Sequence, residues 1–295
     1  MTNGTYWLEG IMNLSQESAN VRINATDALI IARYFVGLTE LSGIELLAAE
    51  TDGLAGINAT DALEVLKRFT GQITEFTNSL SDWVSDKPSI SLDHNNVTQD
   101  IGLLARGDVN SSSLIKDCFD EFQSSATSRS TPLQLINRDL LILEKGKDIV
   151  EIPIKVQKGL EVGAVSLDLA ITPAIMDIQE VWVKDYQAAF SVENGRLRIG
   201  WFDIKPIVLD AEETLIKIVA RIDKTKLGNT TGQLFDLAAS SELANGIGLP
   251  LENTILVTPT ILESLHPNFD LKISPNPAKN IILFNISNPL QVISF

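Results

Sequence analysis

The amino-acid sequence predicts a multidomain protein: a small α-helical domain of two loop–helix units, followed by an antiparallel β-sandwich of the jelly-roll kind. The helical domain is predicted by a repeat, because the heptapeptide INATDAL stands at residues 23–29 and again at residues 57–63. The sandwich is predicted by a change of pattern after Pro132, where short segments alternate apolar and polar residues. We therefore expect four regions: a helical domain at 1–112, a linker at 113–131, a sandwich at 132–262 and an incomplete further domain at 263–295.

Each copy of the heptapeptide predicts the start of an amphipathic helix. Asn24 suits the N-cap, and Asp27 stands three positions later, where its side chain can bind a free N–H group of the first turn. Gly37 and Gly71 stand where the two helices are expected to end. Each helix needs the other to bury its apolar stripe. The predicted stripes are Ala28, Ile31, Ala32 and Phe35 in the first copy, and Ala62, Val65, Leu66 and Phe69 in the second.

The residues before each helix resemble the second half of an EF-hand-type calcium loop, in which oxygen ligands precede an acidic residue that enters the helix. For the second copy the candidate ligands are Glu50, Asp52, Asn58 and Asp61. Leu54 occupies one ligand position of this loop and has no side-chain oxygen. The first copy is preceded only by uncharged residues at the corresponding positions, so its loop lacks a charged first half.

A later stretch, GDVNSSS at residues 107–113, has the composition of that missing first half. If the chain ends of the helical domain meet, a split site would combine residues from both stretches. The alternative is a solvated turn that leads into a Ser- and Thr-rich linker, and the sequence leaves both open. The candidate ligands of the split site are Asn24, Asp27, Asp108, Asn110 and Ser112.

Paired loops that end in INATDAL, each followed by a helix of about three turns, resemble type I dockerins. These are duplicated calcium-binding modules that dock onto cohesins in cellulose-degrading assemblies. The resemblance implies calcium as a cofactor and a protein partner of the cohesin class. It also implies two nearly equivalent docking faces, one at Ala25 and Thr26 and the other at Ala59 and Thr60. The DxNxDG half-loop typical of the family is eroded before both helices.

The strand-rich half has short alternating segments separated by turn residues, which is typical of two sheets that bury one face against each other. Its segments VGAVSLDLAITPAIMDIQEV, GRLRIGWFDIKPIVLDAEETLIKIVARI and SELANGIGLPL resemble cohesins and, more broadly, the carbohydrate-binding jelly-roll superfamily. The predicted strands are 140–143, 149–156, 163–171, 178–183, 196–202, 214–222, 233–239 and 255–260.

Two tryptophans are candidates for carbohydrate binding. Neighbouring residues of a strand point to opposite faces, so Trp201 and Phe202 cannot both face the core. An outward Trp201 or Trp182 would stack on a sugar ring or join a protein interface, whereas an inward ring would pack in the core. No catalytic residues are predicted, because no carboxylate pair has an evident groove and Cys118 has no nearby histidine in the sequence.

The composition of the chain excludes some classes of binding partner. The formal net charge of −15 argues against nucleic acid and anionic membranes, and no apolar run is long enough to span a bilayer. No signal peptide is visible at the start of the chain.

Residues 269–280, FDLKISPNPAKN, resemble the opening of the C-terminal sorting domain of type IX secretion substrates. This resemblance implies a protein that is secreted or held at the cell surface.

These features favour a non-catalytic interaction or scaffolding protein that joins partners in polysaccharide breakdown or adhesion. The alternative is a carbohydrate-binding module that contacts glycan through the sandwich, which would make polysaccharide a partner. The helix pair need not bind the sandwich of its own chain, because self-pairing would mask both surfaces.

Overall fold

The computed structural model describes residues 23–86, 102–111, 133–143, 147–227, 234–263, 272–274 and 283–285. The predicted linker, Ser112 and Cys118 lie outside these residues, as does most of the predicted domain at 263–295. The helices are α1 (Ala25–Phe35), α2 (Ile44–Ala49), α3 (Ala59–Phe69) and α4 (Lys224–Leu227), with a 3₁₀ turn at Thr77–Ser79.

The two repeats fold into α1 and α3 with the same ends. Asn24 and Asn58 are the N-caps, and each helix has a capping box closed by the aspartate three residues later. Gly37 and Gly71 follow the C-caps with φ of +75° and +76°, a conformation that glycine adopts without strain. Both predicted starts and both predicted ends are confirmed.

Helix α2 and a two-stranded ribbon complete the helical domain. Strand β1 (Trp83–Ser85) pairs antiparallel with β2 (Leu103–Ala105). The guanidinium of Arg106 donates to the backbone carbonyls of Leu47 and Glu50 at the end of α2. This satisfies carbonyls that have no partner within the helix. The short α2 was not predicted.

Two sheets form the sandwich. Their strands are β3 (Gln134–Leu143), β4 (Ile149–Val156), β5 (Leu160–Ala170), β6 (Met176–Val183), β7 (Tyr186–Gln187), β8 (Ala189–Glu193), β9 (Arg196–Leu209), β10 (Thr214–Ile222), β11 (Asp236–Leu237), β12 (Glu242–Ala244) and β13 (Ile255–Glu263). The first sheet has the order β3–β13–β4–β10–β6–β7, and the second has the order β11–β5–β9–β8 with β12 also paired to β5. The predicted bounds 149–156 and 214–222 are those of β4 and β10.

One pair of strands corrects the prediction of a wholly antiparallel sandwich, because β3 and β13 run parallel. They are the first and last strands of the sandwich, so no hairpin fixes their relative direction. The two other described strands, β14 (Lys272–Ser274) and β15 (Leu283–Asn285), pair antiparallel, and β14 ends at Ser274, the first residue of the SPNPA motif.

The sandwich core lies between the two sheets, and a second core lies under the helices. The second core joins Leu29, Ile31 and Val65 of the helical domain to Ala164 and Ala244 of the sandwich. Strand β5 is therefore buried on both faces, since every residue from 162 to 169 is buried. The chain has three layers at this point: helices, the β5–β9–β8 sheet and the six-stranded sheet. Within the part of the chain that the structure describes, no helix is long and apolar enough to cross a membrane.

Candidate functional site

The start of α1 lies on the β5–β9–β8 sheet and on β12 beside it. The Ala25 N–H donates to Ser166 Oγ of β5 at 2.8 Å, and both residues are fully buried. Thr26 Oγ1 donates to Glu242 Oε1 of β12 at 2.5 Å, and the Asn24 side-chain amide reaches the same oxygen at 3.4 Å. These hydrogen bonds satisfy polar groups at the start of the helix that would otherwise bind water.

Further contacts fix the helices along the sheet. Arg33 Nη1 donates to the Gly246 carbonyl at 2.7 Å. Ser191 Oγ donates to the Thr70 carbonyl at the end of α3. The helix pair therefore contacts the sandwich through the start of α1 and the end of α3. We call the surface of the helix pair that makes this contact the docked face, and it consists of Ala25, Thr26, Ile30, Arg33, Leu66, Phe69 and Thr70.

Glycines make room for the docked face. A Cβ atom on Gly200 of β9 would lie 2.7 Å from Leu66 Cδ1 and 2.9 Å from Thr70 Cγ2. A Cβ atom on Gly248 would lie 2.8 Å from Ile30 Cγ1. Such separations are well below ordinary van der Waals contact, so a larger residue at either position would force these side chains, or the helices that carry them, to shift. The sandwich surface at Gly200 and Gly248 therefore fits the helix pair closely.

The duplication places a related surface on the opposite side of the helix pair. We call it the outer face, and it consists of the residues at the repeat positions that correspond to the docked face: Ala59, Thr60, Glu64, Lys67, Ala32, Phe35 and Val36. Of these, Ala32 and Glu64 are buried. Ala59 and Thr60 are exposed, whereas Ala25 and Thr26 are fully buried. Phe35 is 54% exposed, and its counterpart Phe69 is 8% exposed. The prediction that Phe35 would be buried is wrong, because only the Phe69 end meets the sheet.

The second predicted metal site brings three acidic side chains together. Ligand oxygens of Glu50, Asp52 and Asp61 all lie within 4.8 Å of one another. Asp61 Oδ1 accepts the Thr51 N–H at 2.7 Å and the Asp52 N–H at 3.1 Å, and Oδ2 accepts the Asn58 N–H at 2.8 Å. Asp52 Oδ2 is buried, and no hydrogen-bond donor among the described residues reaches it. Burial and the Asp61 charge raise the pKa of Glu50. Hard cations prefer such oxygen donors.

The first predicted site repeats this geometry with a segment from much later in the chain. Asp27 Oδ1 accepts the N–H groups of Val109 at 3.0 Å and Asn110 at 3.3 Å, and Oδ2 accepts the Asn24 N–H at 2.9 Å. Val109 and Asn110 donate to Asp27 as Thr51 and Asp52 donate to Asp61. By this correspondence, Asp108 holds the position of Glu50. The structure thus places Asp108 and Asn110 beside Asn24 and Asp27, while Ser112 lies outside the described residues.

Asp27 and Asp108 are both buried, with exposed fractions of 0% and 1%. Burial is the main reason that the pKa of Asp27 is raised well above its usual value, and the negative charges of Asp108 and Glu242 raise it further. Hydrogen bonds from the Asn24 and Asn110 backbone act in the opposite direction. Ionising Asp27 in this pocket therefore costs free energy, which a bound cation would offset.

The two tryptophans proposed for carbohydrate binding lie in different environments. Trp201 is 6% exposed and packs in the sandwich core, so its ring is not available to a sugar. Phe202, its neighbour on β9, faces the helical domain rather than solvent. Trp182 is half-buried; its Nε1 donates to Glu180, and the Lys217 ammonium lies 5.7 Å from the ring centre. Trp182 remains a surface candidate.

The residues of the sandwich that receive the helices, namely Ser166, Gly200, Glu242 and Gly248, were not among the predicted site residues. One signal was present. The outward positions of β5 and β9 carry Ala164, Ser166 and Gly200, which are too small to cover the face of a sheet by themselves. Small residues on an outward face indicate that another element packs closely there.

No protein-family model matches the sequence, and no curated protein does. Among solved structures, a non-cellulosomal cohesin from the archaeon Archaeoglobus fulgidus is 17% identical, with a TM-score of 0.31 over 45% of this chain and 88% of that chain. CaCohA2 from Clostridium acetobutylicum is 17% identical, with a TM-score of 0.32 over 44% and 92%. A chain of a type I cohesin–dockerin complex from Clostridium thermocellum is 14% identical, with a TM-score of 0.30 over 46% and 97%.

Proposed function

We propose that this chain is a non-catalytic interaction protein, secreted or held at the cell surface, that joins partners in polysaccharide breakdown or adhesion. The observation that carries the proposal is the seating of the α1 start on the β5–β9–β8 sheet. There the repeated Ala-Thr pair forms directed hydrogen bonds with Ser166 and Glu242 and fits beside Gly248. Close packing around a few buried anchors is the usual basis of specific protein recognition.

The proposed docking surface for an outside partner is the outer face. It offers Ala59 and Thr60 at the start of α3, with Phe35 and Val36 at the end of α1. Exposed apolar residues grouped with a polar rim are typical of interaction sites. The two faces are not identical, because Glu64 replaces Ile30 and is bound by Thr77. The proposed partner is a β-sandwich that presents a sheet of small outward residues.

Binding of the full chain to a panel of purified cohesin-type sandwiches tests this proposal. We expect at least one sandwich to bind, and we expect Thr60→Asp combined with Phe35→Ala to weaken that binding by at least about tenfold, since the pair removes one anchor and adds one charge. Calorimetry would measure the affinity. Val208→Ala is the control, because Val208 is exposed on the sandwich. Equal binding by the double variant, or no binding to any sandwich, would contradict the proposal.

Calcium is the proposed cofactor, at the Glu50–Asp52–Asp61 cluster and at the split cluster of Asp27 and Asp108. The supporting features are the convergence of carboxylate oxygens, the buried Asp52 Oδ2 and the raised pKa of Asp27. A bound cation would hold the 50–52 turn to α3 and the 108–110 turn to α1. It would therefore fix the orientation of both helix starts on which docking depends.

We expect calcium to raise the melting temperature of the chain by several degrees, because a ligand at about 100 times its Kd adds about 2.7 kcal/mol to stability. Asp52→Asn and Asp108→Asn should each reduce this rise, one for each cluster. Asp185→Asn, on an exposed turn, should leave it unchanged. Differential scanning calorimetry with calcium and with chelator gives the comparison. A parent protein that melts at the same temperature in both conditions would eliminate both sites.

The alternative function, carbohydrate binding, now rests on Trp182. Its partial exposure on the outer surface of the six-stranded sheet leaves room for a ring contact. Affinity electrophoresis on cellulose, xylan, pectin and mucin separates the two functions. Retardation that disappears in Trp182→Ala would favour glycan binding, while unretarded migration agrees with protein docking.

A further inference from the structure

The helix pair docks on the sandwich of its own chain, a contact that the sequence was interpreted as not requiring. The contact uses both ends of the docked face: Ala25 N–H to Ser166 at one end and Ser191 to the Thr70 carbonyl at the other. Between them, Leu66 and Phe69 lie over Gly200. The sheet that would receive an outside helix pair is therefore already covered.

The interface has the character of a fitted contact rather than a loose one. Ser166 is fully buried and bonds a backbone N–H that has no partner within α1. Glu242 bonds both Thr26 and Asn24, and Arg33 reaches the Gly246 carbonyl. Ala164 and Ala244 of the sandwich belong to the core of the helical domain. Separation would expose this apolar surface and leave the α1 start without its protein partners.

We propose that the β5–β9–β8 sheet is masked in cis, so that the helix pair of a second copy binds it only after the chain's own helix pair is released. This inference rests on the proposed function, because it treats the sheet as a docking surface. A tethered helix pair competes at an effective concentration of about millimolar. The parent sheet should then bind an outside helix pair at least about 100-fold more weakly than an opened sheet does.

Two full-length variants test the proposal by complementation. The open-sheet variant carries Thr26→Asp, which sets a carboxylate against Glu242, together with Thr60→Asp, which prevents the related α3 start from taking its place. Aspartate near a helix start favours the helix, so the helices should form. The closed-sheet variant carries Gly200→Leu, which fills the space of Leu66 and Thr70 and leaves the helix pair unaltered.

We expect each variant alone to be monomeric and the mixture to form a one-to-one complex, measured by analytical ultracentrifugation. The parent should join neither variant at the same concentration. Failure of the two variants to associate, with both shown to be folded by circular dichroism, would overturn the proposal. Equal binding of the parent to the closed-sheet variant would also overturn it, since the parent sheet would then be accessible.

If one of these variants does not fold, a milder pair repeats the test. The open-sheet variant then carries Thr26→Ala with Thr60→Ala, and the closed-sheet variant carries Gly200→Ala. Complementation is independent of the outer face and of any outside sandwich. It can therefore succeed when the panel of cohesin-type sandwiches shows no binding, and it can fail when that panel binds.

Discussion

Replacing Phe69 by alanine should lower the free energy of unfolding by about 3 kcal/mol, whereas replacing Phe35 by alanine should lower it by less than about 0.5 kcal/mol. The two residues hold the same position in the duplicated unit. Phe69 is 8% exposed and lies over Gly200, while Phe35 is 54% exposed. Removing a buried ring loses its apolar burial and leaves a cavity, but removing an exposed ring does neither.

Urea unfolding followed by circular dichroism at helical wavelengths measures both changes. The repeat supplies its own control, because helix propensity and position within the helix are the same for the two substitutions. Equal losses of stability would mean that the helix pair does not rest on the sheet through the end of α3. A larger loss at Phe35 would mean that the helix pair is seated by its other face.

The sequence was sufficient for features that depend on neighbouring residues. The capping boxes at Asn24 and Asn58 and the positive-φ glycines at Gly37 and Gly71 follow from chemistry within one turn of helix. The bounds of β4 follow from alternation, because one of its faces meets the core. Alternation fails as a guide in β5, where small residues on one face and larger apolar residues on the other are all buried.

Contacts between distant parts of the chain could not be predicted from the sequence. The bond from Thr26 to Glu242 spans 216 residues, and nothing local to Glu242 distinguishes it from other surface carboxylates. The contact with the sandwich also makes the two repeats unequal. Leu29 and Leu63 hold the same position in the repeated heptapeptide, but they are 0% and 43% exposed. The position of Asp108 beside Asp27 was available only as one of two open alternatives.

Asp61→Ala should lower the free energy of unfolding by about 3 kcal/mol or more even with chelator present. The fully buried carboxylate accepts backbone N–H groups of Thr51, Asp52 and Asn58. Alanine would leave these donors without their acceptor in a site that water reaches poorly, and each buried unsatisfied group costs about 1–3 kcal/mol. The capping box of α3 would be lost as well.

Thr60→Ala is the matched control, because Thr60 is the preceding residue of the same helix turn and is exposed. It should change stability by less than about 0.5 kcal/mol. Calcium distinguishes two roles of Asp61. If the carboxylate only anchors backbone, its removal costs the same with calcium as with chelator; if it is also a ligand, the loss grows when calcium is present, because the parent alone gains binding energy. A loss near that of Thr60→Ala would show that the 51–52 turn is held by other contacts.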